Sequence, residues 1–249
     1  MEEIKTRIHG YWSGRSEEFV RMRGEELESG MAKLWLAEIQ RCLPTGKKLK
    51  ILDVGTGGGF FAILLAQQGH TVCGIDLTAG MIEGARRLAE EKDVDVDFQV
   101  MDAEKTDFED ESFDVVVARN LTWTLPHPAE AYREWKRVLK RGGILLNFDG
   151  NYGKADFCKE ARDPSGQNAH RNVSDEQLNE CTQIREELGI SREERPAWDE
   201  RVLNALGYAK IKIDREVSDR IYTGDLRFYN PTPLFLIKGV KNDCKISSL

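Results

Sequence analysis

Lys50-Ile-Leu-Asp-Val-Gly-Thr-Gly-Gly-Gly-Phe-Phe-Ala-Ile-Leu-Leu-Ala66 sets one acid, Asp53, two residues ahead of a cluster of four glycines. An apolar run over residues 49–54, a glycine turn and a helix-length apolar segment read as strand, tight turn and helix. Glycines there supply unusual dihedrals and let backbone approach a ligand closely. Gly57, Gly59 and Ala62 fit the dinucleotide pattern G-x-G-x-x-A, and Asp76 stands where a ribose-binding acid would follow. Asp53 weighs against pyrophosphate, because a carboxylate at the strand end would lie beside two negative phosphates in a poorly screened crevice. A ligand carrying an amine or sulfonium would favour it.

Outward from the turn, residues 50–154 alternate short apolar runs with amphipathic segments, as βα units around a parallel sheet do. The runs cover 49–54, 71–75, 97–101, 113–118 and 144–148; the expected helices cover 60–68, 78–91 and 128–139, with Thr78 as an N-cap and Arg141-Gly142-Gly143 as a stop. Residues 17–43 read as one or two helices broken by Gly24 and Gly30. Residues 151–207 are polar and helix-biased, with 8 basic and 12 acidic residues. Residues 211–215 and 234–238 look like closing strands. The expected division is an N-terminal helical lid (1–46), a cofactor-binding core (47–150), a helical substrate-covering insert (151–207) and C-terminal strands completing the core sheet (208–249).

The 249 residues carry a net charge of −7, which disfavours nucleic acid as a partner and favours a small molecule. No apolar run approaches the roughly 18 residues of a membrane span, and the N-terminus lacks a basic signal-peptide start, so a cytoplasmic monomer or homodimer is expected. Cys42, Cys73, Cys158, Cys181 and Cys244 show no C-x-x-C spacing, so reduced thiols are expected rather than a zinc site. No metal-ligand cluster is apparent, and turnover is expected to be metal-independent.

Asp53, Asp76 and Asp102 stand at three successive strand ends and outline a cationic, ribose-bearing ligand. Five blocks in order, I-L-D-V-G-T-G-G-G, G-I-D-L-T with M-I-E-G-A-R, Q-V-M-D-A-E, F-D-V-V-V-A-R-N and E-W-K-R-V-L-K-R-G-G, resemble the class I S-adenosylmethionine-dependent methyltransferases, in particular the small-molecule group that includes the ubiquinone and menaquinone biosynthesis methyltransferases. The resemblance covers about residues 11–148. It implies a doubly wound α/β fold with a mostly parallel seven-stranded sheet, N-terminal helices and a helical insert after strand 5. It implies in-line transfer of a methyl group from S-adenosylmethionine to a small-molecule acceptor. Asp53, Gly55, Gly57 and Gly59 would hold the methionine moiety, Asp76 the ribose, and Leu77, Asp102 and Ala103 the adenine side, with Thr56 and Met81 among the cofactor-binding residues. Arg119 and Asn120 would line the methionine side. Tyr11, Trp12 and Arg15 resemble an entry segment that folds over the cofactor, with Ser16 where the group has alanine.

Other readings stand beside these. Asp53 and Asp76 suit capping as well as binding. Trp123, Tyr152 and Phe157 suit an acceptor pocket or a packed aromatic core, and Trp198 likewise. His170 and His9 are the candidate general bases, since imidazole titrates near neutral pH. His127 and His70 suit helix-end roles, and residues 185–195 read as a solvated helical face. A nicotinamide-dependent oxidoreductase and a non-catalytic S-adenosylmethionine-binding protein are the alternative functions.

Overall fold

The computed structural model describes residues 2–162, 173–224 and 226–242. Its sheet is built from β1 (Lys50–Val54), β2 (Thr71–Asp76), β3 (Asp97–Val100), β4 (Phe113–Arg119), β5 (Leu139–Gly150), β6 (Tyr208–Asp214) and β7 (Leu234–Lys241) in the order β3-β2-β1-β4-β5-β7-β6. The first five strands pair in parallel, whereas β7 runs antiparallel to both β5 and β6. The order reverses between β1 and β4, and in such sheets ligands bind beyond the carboxyl ends of the strands at that point.

Burial on both faces explains the Val/Ile/Leu runs. Ile51, Val115 and Val117 point into a layer with α4 (Phe60–Gln67), α5 (Ala79–Glu91) and α3 (Gly30–Gln40). Leu52, Val116 and Ala118 point the other way, against α6 (Pro128–Val138) and α9 (Ala197–Ala205). Residues 60–65 of α4 are all buried, so this helix is apolar all round rather than amphipathic. The remaining helices are α1 (Glu2–Ser13), α2 (Ser16–Leu27), α7 (Phe157–Ala161), α8 (Asp175–Glu187) and α10 (Val217–Ile221). Among the described residues no helix is long and apolar enough to cross a membrane, and no group of three or more His, Cys, Asp or Glu is placed to hold a metal ion.

Several local expectations differ from the structure. Gly24 does not break a helix; it sits inside α2, where a β-carbon would approach Leu88 Cδ2 of α5 to 3.1 Å. The break comes at Glu28 and Ser29, and Ser29 caps α3 by accepting from the Met31 N–H. Arg141 to Gly143 lie within β5, because α6 already ends at Val138 and the chain bulges between Phe113 and Val115 of the paired strand. Thr78 occupies the N-cap of α5 without a side-chain capping bond. Residues 185–195 are not one solvated face: α8 stops at Glu187, and both Arg185 and Arg195 are buried.

Candidate active site

The glycine turn closes tightly after β1. Gly55, Gly57 and Gly59 take φ of +65°, +52° and +81°, a region L side chains rarely adopt. A β-carbon on Gly57 would also meet the Phe19 ring of α2 at 2.9 Å. Asp53, at the end of β1 and 2% exposed, accepts from the Thr56 hydroxyl at 2.6 Å and from the Ala62 N–H at 3.1 Å. Burial pushes its carboxyl up to about 7 in spite of these two bonds. One β-strand away, Asp76 accepts from the Gly57 N–H at 3.0 Å and the Thr78 N–H at 2.9 Å. Burial raises its pKa too, and both N–H bonds oppose the rise. The two acids thus brace the turn, as the capping reading holds, and they also face the same cavity.

That cavity measures about 190 Å³ and opens beyond the carboxyl ends of β1, β2, β3 and β4. Asp53, Gly55, Thr56 and Gly57 form its floor, with Asp76, Leu77 and Met81 beyond β2 and Asp102 and Ala103 beyond β3. Arg119, Asn120 and Trp123 line it beyond β4, and Tyr152 and Phe157 beyond β5. His9, Tyr11, Trp12 and Arg15 cover it from α1 and the turn that follows. Gly59 is the exception among the expected turn residues. It lies beneath the turn, where a β-carbon would meet Phe98 Cζ at 2.9 Å and Ala85 Cβ at 3.0 Å. His170 lies outside the described residues. His9 lines the same cavity as Asp76.

Several residues in or just behind the wall escaped the sequence reading. Glu26 of α2, 0% exposed, takes the Arg119 guanidinium at 2.8 and 3.2 Å and also pairs with Arg23. Burial alone would raise the Glu26 pKa, but the two guanidiniums hold it below the usual carboxylate range. Arg119 stacks over the Trp35 ring with its guanidinium 4.1 Å from the centroid, a favourable cation–π position. Lys5 of α1 reaches Asp102 at 2.7 Å and Glu104 at 2.6 Å, and Glu104 also accepts from the His127 N–H at 2.5 Å. The i, i+4 spacing of Lys5 and His9 was the available signal for an α1 face turned to the strand ends. For Glu26 the i, i+3 spacing to Arg23 signalled only a surface pair, because its second partner, Arg119, lies 93 residues away.

The far wall is aromatic. The Trp123 and Tyr152 rings lie 4.7 Å apart and Phe157 is 5.7 Å from Trp123. Asn120, with a left-handed φ of +53°, accepts from the Trp123 indole through its carbonyl at 3.0 Å and from the Tyr152 hydroxyl through its side chain at 3.0 Å. Asn230 donates to the same Tyr152 hydroxyl. Trp198 packs instead near Tyr132, away from the cavity.

Comparison with known proteins accords with this architecture. Residues 52–147 match the family described as "Methyltransferase domain". A ubiquinone biosynthesis O-methyltransferase of Actinobacillus pleuropneumoniae is 36% identical over 102 residues, which cover 39% of this chain and 44% of that protein. The match therefore spans less than half the length of that relative. Phosphoethanolamine N-methyltransferase 2 of Haemonchus contortus, solved with phosphomonomethylethanolamine and S-adenosylhomocysteine, superimposes with a TM-score of 0.60 at 21% identity, over 84% of this chain and 52% of that one. An Aquifex aeolicus S-adenosylmethionine-dependent methyltransferase gives 0.58 at 15% identity, over 88% and 97% of the two chains. Residues 52–147 thus resemble a methyltransferase domain, and the sheet has the fold of the solved S-adenosylmethionine-dependent methyltransferases.

Proposed function

We propose that the chain is an S-adenosylmethionine-dependent methyltransferase of a small-molecule acceptor, carried above all by the acid-braced glycine turn at the switch point of the sheet. The residues fit the cofactor. Arg15 and Arg23, both buried, and Arg119 bring three guanidiniums to the cavity wall, and Glu26 behind them is the carboxylate that pairs with Arg23 and Arg119. Arg15 Nε and Arg119 Nε have no hydrogen-bond partner among the described residues, which suits a ligand carboxylate at that end. Gly55 and Gly57 keep the floor free of side chains, and Asp76 is oriented by two backbone N–H groups to accept from ribose hydroxyls. Asp102 and Ala103 stand at the adenine side.

When bound, S-adenosylmethionine supplies a methyl group on a sulfonium, which an acceptor nucleophile displaces in line. The chain's part is to hold the two reactants together, for which effective molarities reach about 10⁵ to 10⁸ M in favourable cases. Asp53, near its midpoint at neutral pH, favours a cation above the turn and disfavours a pyrophosphate there. Trp123, Tyr152 and Phe157 offer flat apolar surface to the acceptor and keep water from the reacting centre. His9 and His170 stand as candidate bases for an acceptor that arrives protonated, and of the two His9 lines the cavity.

In this reading residues 1–46 cover the cofactor, 47–150 bind it, 151–207 cover the acceptor and 208–249 complete the sheet. Free Cys42, Cys73, Cys158 and Cys181 suit a reducing, cytoplasmic setting. The test is methyl transfer from radiolabelled S-adenosylmethionine to a panel of phenols, amines and thiols. Acceptor-dependent label that disappears in Asp76→Ala supports the reading. Tight S-adenosylhomocysteine binding with no transfer to any class would favour a binding protein.

A further inference from the structure

Behind the aromatic wall lies a fully buried ionic cluster that does not touch the cavity. Arg195, 4% exposed, directs Nε and Nη2 to Asp199 at 2.9 and 2.7 Å, Nη1 to Asp149 at 3.0 Å and to the Gly150 carbonyl at 3.3 Å, and Nη2 to the Thr122 hydroxyl at 2.6 Å. Five donors make five bonds, the full capacity of a guanidinium and beyond that of a lysine. Asp149, 0% exposed at the end of β5, accepts in turn from the Trp123 N–H at 3.1 Å, the Gly150 N–H at 2.8 Å and the Thr122 hydroxyl. Tyr132 and Asn147 complete the cluster, Tyr132 donating to Asp199 at 2.6 Å and Asn147 to Thr122 at 3.0 Å.

The 3-10 turn Thr122–Thr124 is therefore hung from one carboxylate, and that turn carries the Trp123 indole on the cavity wall. A carboxylate accepts from four donors only while ionised. Burial raises the Asp149 pKa, and Arg195, which also pairs with Asp199, is the cation that opposes the rise. Arg195 also comes from the chain between β5 and β6, so the cluster ties this segment to the end of the core sheet.

We propose that Arg195 is a positioning residue for the acceptor side: by bonding both Asp149 and the Thr122 hydroxyl it fixes the Thr122–Thr124 turn and so the Trp123–Tyr152 wall. The inference rests on the reading of that wall as the acceptor's.

The test uses the full chain labelled with 5-fluorotryptophan, the Trp123 resonance being assigned by Trp123→Phe. In Arg195→Met the Trp123 resonance should shift or broaden while that of Trp35, on the opposite face of the sheet, stays fixed. Arg195→Lys, which keeps the cation, should bring Trp123 back towards its wild-type position. S-adenosylhomocysteine affinity by calorimetry should be the same in all three chains. A Trp123 resonance unmoved in Arg195→Met, or one that moves together with Trp35, would overturn the proposal, the latter as general loosening. Should Arg195→Met fail to fold, Asp149→Asn carries the same expectation, because an amide oxygen cannot serve the same donors. Absence of S-adenosylhomocysteine binding to the wild-type chain would instead sink the cofactor reading and leave the Trp123 result standing.

Discussion

The two ends of the cavity are held by different means. At the glycine-turn end, side chains answer backbone groups close by: Asp53 accepts from Ala62 nine residues on, and Asp76 from Gly57 nineteen residues back. At the aromatic end, side chains answer side chains far away: Arg195 reaches Thr122 across 73 residues, and Asn230 reaches Tyr152 across 78. The first arrangement survives wherever a parallel strand pair and a tight turn survive. The second draws Asp149, Tyr152, Arg195 and Asn230 from outside the matched residues 52–147.

The largest expected effect lies where the contrast blurs, at the α2 cover of the glycine turn. Glu26→Gln leaves the Arg23 and Arg119 guanidiniums buried without a carboxylate, and breaking a buried pair costs about 3–5 kcal/mol. Urea unfolding should show a loss of that order. A loss below about 1 kcal/mol, the range of exposed pairs, would mean that α2 is not clamped to the turn.

Next comes Asp76→Ala, which removes an ionised hydrogen-bond acceptor worth about 1.5–3 kcal/mol. S-adenosylhomocysteine affinity should fall by roughly 10- to 150-fold in calorimetry, taking about 1.4 kcal/mol per decade. Trp123→Ala, at the other end, should leave it unchanged. Equal losses in both variants would erase the distinction between the two ends.

Asp53 supplies a pH test. Folding lifts its carboxyl from 3.8 to about 7, so the folded chain holds this proton more tightly than the unfolded one. The group's contribution to stability is fully present below about pH 4 and is lost as pH rises to about 7, with a slope of at most about 1.4 kcal/mol per pH unit. Asp53→Asn should flatten that part of the stability profile. Affinity for S-adenosylmethionine, which carries a sulfonium, should rise with pH through about 7, while that for S-adenosylhomocysteine should change less. Identical pH profiles for the two ligands would show that Asp53 braces the turn without sensing the cation.

The smallest effect is expected at Lys5, whose side chain is 31% exposed beside Asp102 and Glu104. Pairs of this kind contribute roughly 0.2–1 kcal/mol and are screened by salt. Lys5→Met should weaken cofactor binding by only a few fold, a difference that vanishes at high salt. A salt-insensitive loss of the size seen for Asp76→Ala would make Lys5 part of the binding floor.

This contrast also explains what the sequence made legible. The order of strands and helices, the turn and its acids follow from local patterns, with Asp53, Asp76 and Asp102 placed after apolar runs and Gly55 and Gly57 by the glycine spacing; the antiparallel last strand came from the family resemblance. Gly59 misled because the same glycine spacing serves packing against Phe98 as well as ligand approach. Gly24 misled because a glycine that breaks an isolated helix is also the residue that lets two helices approach closely. Glu26 and Arg195 sit in charged stretches with local partners, Arg23 and Asp199, and read as solvated pairs until Arg119 and Asp149, tens of residues away, are brought against them. Asp149, by contrast, ends an apolar run as Asp53 does but turns away from the cavity.

The most direct test of the central claim is a thermal-shift comparison of the wild-type chain with S-adenosylmethionine, S-adenosylhomocysteine, NAD and NADP. A ligand at about 100 times its dissociation constant stabilises by about 2.7 kcal/mol, or several degrees at roughly 2 to 4 °C per kcal/mol for a chain of this size. The expected result is a shift of that size with the two sulfur ligands and none with the nicotinamide cofactors. A shift with NAD or NADP alone would contradict the reading of Asp53 and of the cavity built above it.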